Sequence, residues 1–194
     1  MSIVAVVLAG GQARRLGGGD KGLRPLAGRP MLAHVLARVA PQVAAVALNA
    51  NGDSSRFAGF GLPVLPDDAP GRGPLGGVLA GLRWAAQIGA ARLLSVPTDT
   101  PLLPRDLVPR LAAAGPGGAC AASAGRVHPV VALWPVALAE PLAAALARGE
   151  HGVNRFTAAH DFLTVHFAAT PVDPFLNVNE PADLAAAEAA LSAA

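Results

Sequence analysis

Lysine is almost missing from this sequence. Of fifteen Lys and Arg residues, Lys21 is the one lysine. The rest of the chain carries its positive charge on guanidinium groups, so a compact ammonium on a flexible stem stands out as a point charge suited to phosphate oxygens. Cysteine is equally scarce. Cys120 has no second cysteine, which excludes an intramolecular disulfide, and no companions at zinc-ligand spacing. Among its small neighbours it reads as an apolar filler. Charged residues make up only 14 % and the formal net charge is +2. Without a basic run interleaved with aromatics, that field is too weak to support a nucleic-acid partner. Uninterrupted apolar runs are also lacking, although 53 % of residues are hydrophobic. The nearest candidate, residues 127–146, is broken by His128, Pro129, Pro135, Glu140 and Pro141, so no membrane-spanning helix is expected. The opening stretch has no positive n-region and runs straight into glycines, so it reads as a buried strand, not a signal peptide. A soluble cytoplasmic protein is the expectation.

What is present is a regular alternation. A chain of 194 residues is expected to form one domain, 1–194, with a core of its own. Residues 3–8 are a continuous apolar run, as in a strand buried on both faces. Residues 30–39 have helical spacing, with Met31, Val35, Leu36 and Val39 on one side and Pro30 suited to the first turn. Strands are predicted at 43–48, 62–65 and 92–96, with helices at 75–86 and 104–113. Further strands at 119–123 and 128–134 flank a turn at Gly125, followed by a helix at 136–147, a strand at 162–167 and a helix at 181–191. This order predicts an α/β fold: three αβα layers around a doubly wound, mostly parallel sheet that becomes mixed towards its end. Such sheets gather ligands beyond the carboxyl ends of their strands. The polar signals fall there. A glycine loop follows the first strand, and Asn49, Asp67 and Asp99 follow the next three.

Gly10, Gly11, Gly17, Gly18, Gly19 and Gly22 crowd the stretch after the first strand, with Arg14, Arg15 and Lys21 among them. Glycines let successive backbone N–H groups converge on an anion. A triphosphate carries about four negative charges, and a cation about 4 Å away contributes roughly 4 kcal/mol at an effective dielectric near 20, before desolvation. One cation is therefore too few, and Arg15 is the better phosphate candidate of the two arginines. A mere surface turn would not need three cations at a strand end. Gly17, Gly19 and Gly22 match G-x-G-x-x-G, but too far beyond the strand, and Pro25 blocks the helix that a dinucleotide motif requires. Lys21 precedes Gly22, not Ser or Thr, so the loop is no Walker motif.

Leu8-Ala-Gly-Gly, Arg15-Leu-Gly and Asp20-Lys21 resemble the signature loop of the nucleotide-diphospho-sugar-like nucleotidyltransferases. More closely, the chain resembles the molybdenum cofactor guanylyltransferase family. Further segments follow in that family's order: Asn49-Ala-Asn51, Pro66-Asp67-Asp68, Gly73-Pro-Leu-Gly-Gly77, Pro97-Thr-Asp-Thr-Pro101, His128-Pro129 and Asn177-Val-Asn-Glu-Pro-Ala-Asp183. The resemblance covers nearly the whole chain. It implies that Leu8, Ala9 and Gly10 hold the guanine side of GTP through backbone groups, that Gly11 belongs to the nucleotide site, that Lys21 binds phosphates, and that Asn49 and Asp67 contact base or ribose. It also implies that Asp99 binds Mg²⁺ and that His128, Asn177 and Asn179 lie on the pterin side. Ala13 departs from the residues common at that position, and residues 68–72 have a composition of their own.

The residues themselves support part of this. Asp99 follows a buried strand between Pro97 and Pro101, and Mg²⁺ typically takes one or two carboxylates plus phosphate oxygens and water. Asp67 and Asp68 fit a turn as well as a ligand contact. The segment 73–77 fits a tight turn or a helix start close to a ligand. His128 alone would read as structural. Asn177 and Asn179 share one side if the segment is extended, or make Asx turns if it is not. The resemblance implies transfer of GMP from GTP to molybdopterin, with Lys21, Arg15 and Asp99 as catalytic residues. Molybdoenzymes or their chaperones would receive the product. A cytidylyltransferase or another guanylyltransferase of the same fold is the nearest alternative, and a non-catalytic nucleotide-binding module is the alternative of another class.

Overall fold

The structure is a computed structural model and describes residues 2–10, 19–67, 71 and 73–192. Gly11, Arg14, Arg15 and Asp68, singled out above, lie outside the described residues.

The chain opens with β1 (Ile3–Leu8), whose side chains alternate between two cores. Ala5 and Val7 belong to one apolar cluster, Val4 and Val6 to the other. This is why the run carries no polar residue: neither face meets water. A small hairpin follows, β2 (Pro25–Leu26) and β3 (Arg29–Pro30), turning at Ala27 and Gly28, both at positive φ. Next come α1 (Met31–Val39), β4 (Val46–Asn49), β5 (Val64–Leu65), α2 (Pro74–Gln87) and β6 (Arg92–Pro97). The second half contains α3 (Leu107–Ala113), β7 (Ala119–Ser123), β8 (Arg126–Pro135), α4 (Ala139–Ala147), α5 (Val153–Ala159), β9 (Leu163–His166) and α6 (Pro181–Ser192).

Seven strands make one sheet in the order β5-β4-β1-β6-β8-β7-β9. β8 runs against its neighbours, and the other pairs are parallel. Helices α1 and α3 cover one face through Leu32, Val35, Val39, Leu107 and Leu111. Helices α2, α4 and α5 cover the other through Leu75, Val78, Leu82, Leu142 and Phe156. Each such side chain contributes about 1.5–3 kcal/mol on burial. The predicted three-layer, mixed and mostly parallel architecture is therefore what the chain forms.

Two features of this frame shape what lies at its carboxyl edge. Chain order reverses between β1 and β6, which opens a crevice at that edge. And β8 loses its regular pairing part-way. Cys120 pairs with Ala132, but the next residue, Ala121, pairs with His128. Pro129 lacks the N–H that a ladder needs, and the extra residues bulge. β6 pairs with β8 only as far as Ser95–Ala132, so the first half of β8 parts from β6. Ser95, fully buried, pins the bulge: its hydroxyl donates to Val130 O at 2.6 Å and accepts the Trp134 indole N–H at 2.8 Å.

Several boundaries differ from expectation. The strand predicted at 43–48 is assigned as Val46–Asn49, and the helix predicted at 104–113 begins at Leu107. The β2–β3 hairpin, the 3-10 turn Ser54–Phe60 and helix α5 were not anticipated.

Candidate functional site

At the carboxyl edge of the sheet lies a cleft of about 570 Å³. One wall holds Leu8, Gly10, Asn49, Asp67, Gly73 and Pro74, from β1, β4, β5 and the start of α2. The other holds Thr98, Thr100, Arg126, His128, Val131 and Asn177, from the end of β6, the parted half of β8 and the segment before α6. Lys21 and Asp99 line it as well.

Lys21 begins a 3-10 turn, Lys21–Leu23, and is only 8 % exposed. A nearly buried ammonium needs partners, and among the described residues it has two. Lys21 Nζ lies 2.7 Å from Asp99 Oδ2 and makes a short hydrogen bond to Asn179 Oδ1. Its position is fixed from behind. Gly22 packs on Thr98, where an added Cβ would come 3.1 Å from Cγ2, and Asp20 pairs with Arg56 at 2.7 Å. Asp99 is held through its backbone, since its carbonyl accepts Val178 N–H at 2.8 Å. Its Oδ1 is buried and has no hydrogen-bond partner among the described residues.

Asn49 and Asp67 form a second unit. Asn49 Nδ2 donates to Asp67 Oδ1 at 2.8 Å and to Leu65 O at 3.0 Å. Asn51 Nδ2 donates to Asp67 Oδ2, and Asn51 Oδ1 accepts Asp67 N–H, both at 2.8 Å. The two strand ends are thus tied together by side-chain amides. Leu8 O accepts Thr98 N–H at 3.3 Å and Ala9 N–H donates to Asn49 O at 2.7 Å, so these backbone groups join β1 to its neighbours. Gly73 starts α2 with φ 62° and ψ −157°, a conformation open essentially to glycine, and Pro74 occupies the first turn.

On the far wall, His128 is half-buried. Burial pushes its pKa below the ordinary histidine value, the Asp173 carboxylate pulls it upward, and Arg126 pushes it down. Asn177 and Asn179 flank buried Val178. Asn177 lines the cleft, while Asn179 reaches Lys21 and its backbone N–H is capped by Asp183 Oδ2 at 2.9 Å.

A model of the MobA-like NTP transferase domain matches residues 5–164. The molybdenum cofactor guanylyltransferase of Cereibacter sphaeroides is 53 % identical over 192 residues, covering 98 % of each chain. That of Acidiphilium cryptum is 56 % identical over 187 residues, covering 95 % of this chain and 93 % of the relative. The chain belongs to the molybdenum cofactor guanylyltransferase family. Solved structures agree on the fold. Molybdopterin-guanine dinucleotide biosynthesis protein A from Archaeoglobus fulgidus superposes with a TM-score of 0.74 at 21 % identity, over 98 % of this chain and 100 % of that one. A nucleotidyl transferase from Methanothermobacter thermautotroptrophicus gives 0.77 at 19 % identity, over 99 % and 98 %.

Among the described residues, most of those singled out from the sequence come together at this cleft. Lys21 and Asp99, far apart in sequence, are in contact. Leu8, Gly10, Asn49, Asp67, His128 and Asn177 line one cleft. Asn179 differs from expectation in its neighbour, since it bonds the ammonium of Lys21. Among the described residues no cluster of three or more His, Cys, Asp and Glu could hold a metal. A single carboxylate does suit Mg²⁺ that is completed by phosphate oxygens and water. The unpartnered Asp99 Oδ1 fits that role, whereas both oxygens of Asp67 accept amides. No helix among the described residues is long and apolar enough to cross a membrane. Cys120 is buried in the core, and burial pushes its thiol up to about 12, in keeping with a filler. Sequence reasoning missed Ser123, Arg126 and Asp173, and it gave Asn51, quoted within a motif, no role. Asn51 and Arg126 stand two residues from recognised motif residues, and that alternation was the available cue.

Proposed function

We propose that this chain transfers GMP from GTP to molybdopterin, releasing pyrophosphate, as a cytoplasmic enzyme. The observation that carries this reading is the Lys21–Asp99 pair, 2.7 Å apart in a cleft whose two walls come from opposite sides of the sheet's switch point. The wall built on Leu8, Gly10, Asn49 and Asp67 takes the nucleotide. The wall built on His128 and Asn177, with Asn179 beside Lys21, takes the acceptor. An oxygen of the acceptor's terminal phosphate attacks the α-phosphorus of GTP, a new P–O bond forms, and the bond to the β-phosphate oxygen breaks. The attacking oxygen is already anionic, so the protein supplies no nucleophile of its own. Its contribution is alignment and charge stabilisation. Lys21, with Arg15 from the glycine loop, meets the charge on the transferred phosphate. Mg²⁺ held by Asp99 would neutralise phosphate oxygens when bound.

The test is incubation with each of the four nucleoside triphosphates, Mg²⁺ and molybdopterin, with the dinucleotide and pyrophosphate as readouts. A guanine dinucleotide formed with GTP alone is the expected result. Product only with CTP would make the chain a cytidylyltransferase, and no product with any triphosphate would leave it a binding module.

A further inference from the structure

Ser123 connects two groups with a single proton. Its hydroxyl oxygen lies 2.7 Å from Asp173 Oδ1 and 2.8 Å from His128 Nε2. An ionised carboxylate only accepts, so the hydroxyl proton belongs to Asp173. The contact with His128 must then be donated by the ring, from Nε2–H to Ser123 Oγ. Asp173 cannot turn away, because its Oδ1 also accepts Phe175 N–H at 2.9 Å. Phe175 in turn packs on the imidazole, with ring centroids 4.8 Å apart. Ser123 is 1 % exposed at the end of β7, and water does not compete for its hydroxyl. A neutral imidazole protonated at Nε2 carries its lone pair on Nδ1.

We propose that Ser123 and Asp173 are positioning residues that lock His128 as the Nε2–H tautomer, so that Nδ1 serves the cleft as a hydrogen-bond acceptor for an N–H or O–H donor of the second substrate. His128 is therefore a reader of a donor group and not a cation for phosphate. The charged groups facing it act in opposite senses: Arg126, the neighbouring cation on β8, disfavours an imidazolium and Asp173 favours one, while burial, the largest influence, keeps the ring neutral. The identity of the second substrate rests on the reading given under Proposed function. The tautomer does not.

The tautomer is read from long-range proton–nitrogen correlation spectra of full-length protein labelled with ¹⁵N-histidine. The sample is free of nucleotide and pterin, at about pH 7.5, roughly one unit above the ordinary histidine value. Signals of His128 are those lost in His128→Gln. A pyridine-type shift at Nδ1 and a pyrrole-type shift at Nε2 are expected. The opposite tautomer, an even mixture or an imidazolium overturns the proposal, and this wild-type spectrum decides even if a variant does not fold. In Asp173→Ala the hydroxyl proton is released towards Nε2 and His128 shifts to the Nδ1–H form. In Asp173→Asn an oxygen held by Phe175 N–H remains and the tautomer is kept. An unshifted His128 in Asp173→Ala also overturns the proposal. In the GMP-transfer assay, Asp173→Ala raises the KM for the acceptor about tenfold, the scale of one hydrogen bond, with the KM for GTP unchanged, and Asp173→Asn restores it. The predicted tautomer without GMP transfer would remove the functional reading alone. GMP transfer with the opposite tautomer would remove this inference alone.

Discussion

Gly77 lies directly beneath the side chain of Asn49. A Cβ at position 77 would overlap Asn49 Oδ1, fall 2.6 Å from its Cγ and come 2.8 Å from Leu8 Cδ2. Asn49 cannot step aside cheaply, because its amide nitrogen is committed to Leu65 O and Asp67 Oδ1. Gly77→Ala therefore sets a gain in helix propensity of about 1 kcal/mol against an overpacking cost of roughly 1–3 kcal/mol. The cost wins. Thermal unfolding is expected to shift down by a few degrees and GTP affinity to fall with the displaced Asn49. A variant more stable than the wild type would show that α2 does not need this close approach.

Lys21→Ala is expected to lower GMP transfer by about 10²–10³-fold, the scale of losing one preorganised charge-stabilising donor. Asp99 remains 21 % exposed, so water can solvate the carboxylate left behind and the fold survives. Lys21→Arg should not rescue, since a planar guanidinium does not fit where one Nζ meets Asp99 and Asn179. Transfer rates, with circular dichroism as a control for folding, check this. Wild-type turnover in Lys21→Ala would remove the central assignment.

Asp99→Asn keeps an oxygen to accept from Lys21 and loses the charge that a divalent cation needs. The Mg²⁺ concentration for half-maximal transfer is expected to rise by at least about tenfold, the lower end of what even an outer-shell loss costs a metal site. An unchanged Mg²⁺ titration would exclude Asp99 as the ligand.

The parts of this site visible in sequence are those encoded by local pattern. β1 was legible because a strand buried on both faces admits no polar residue, and Lys21 because its residue type occurs nowhere else. Asn49, Asp67 and Asp99 were legible because strand ends are where this fold places ligands. The hairpin at Pro25–Pro30 was not, since Pro25 read as a helix breaker, Pro30 as the first turn of a helix, and its turn uses Ala27 in a left-handed conformation. The bulge in β8 is a fact of pairing with β7, for which Pro129 is the only local cue. Ser123 and Asp173 are fifty residues apart, and no periodicity links them. The contact of Asn179 with Lys21 depends on Val178 pairing with the Asp99 backbone, which only the folded chain brings together.

Ser95 is expected to matter for stability out of proportion to its size. Its hydroxyl satisfies both the Trp134 indole N–H and the Val130 carbonyl. Ser95→Ala removes one oxygen and leaves the buried Trp134 indole N–H and the part-buried Val130 carbonyl without this partner, at a cost of about 1–3 kcal/mol for each group left truly unsatisfied. Denaturant unfolding should register a loss in that range or above it. A change below roughly 0.5 kcal/mol, the usual scatter of surface substitutions, would show that the bulge holds without this link.

His128 gives the chain an acid-side liability. Burial, its largest influence, lowers the folded pKa despite the upward pull of Asp173. The unfolded chain, at about 6.5, then binds protons more readily than the folded one. The contribution to stability is complete above that pH and is lost as pH falls through the folded value. His128→Gln removes the titrating group, so the variant should lose less stability than wild type on going from neutral to mildly acid pH. Urea unfolding across a pH series measures the difference in slope. Parallel curves for the two proteins would mean that His128 takes up its proton in the folded state as easily as in the unfolded chain, and burial would not be what governs it.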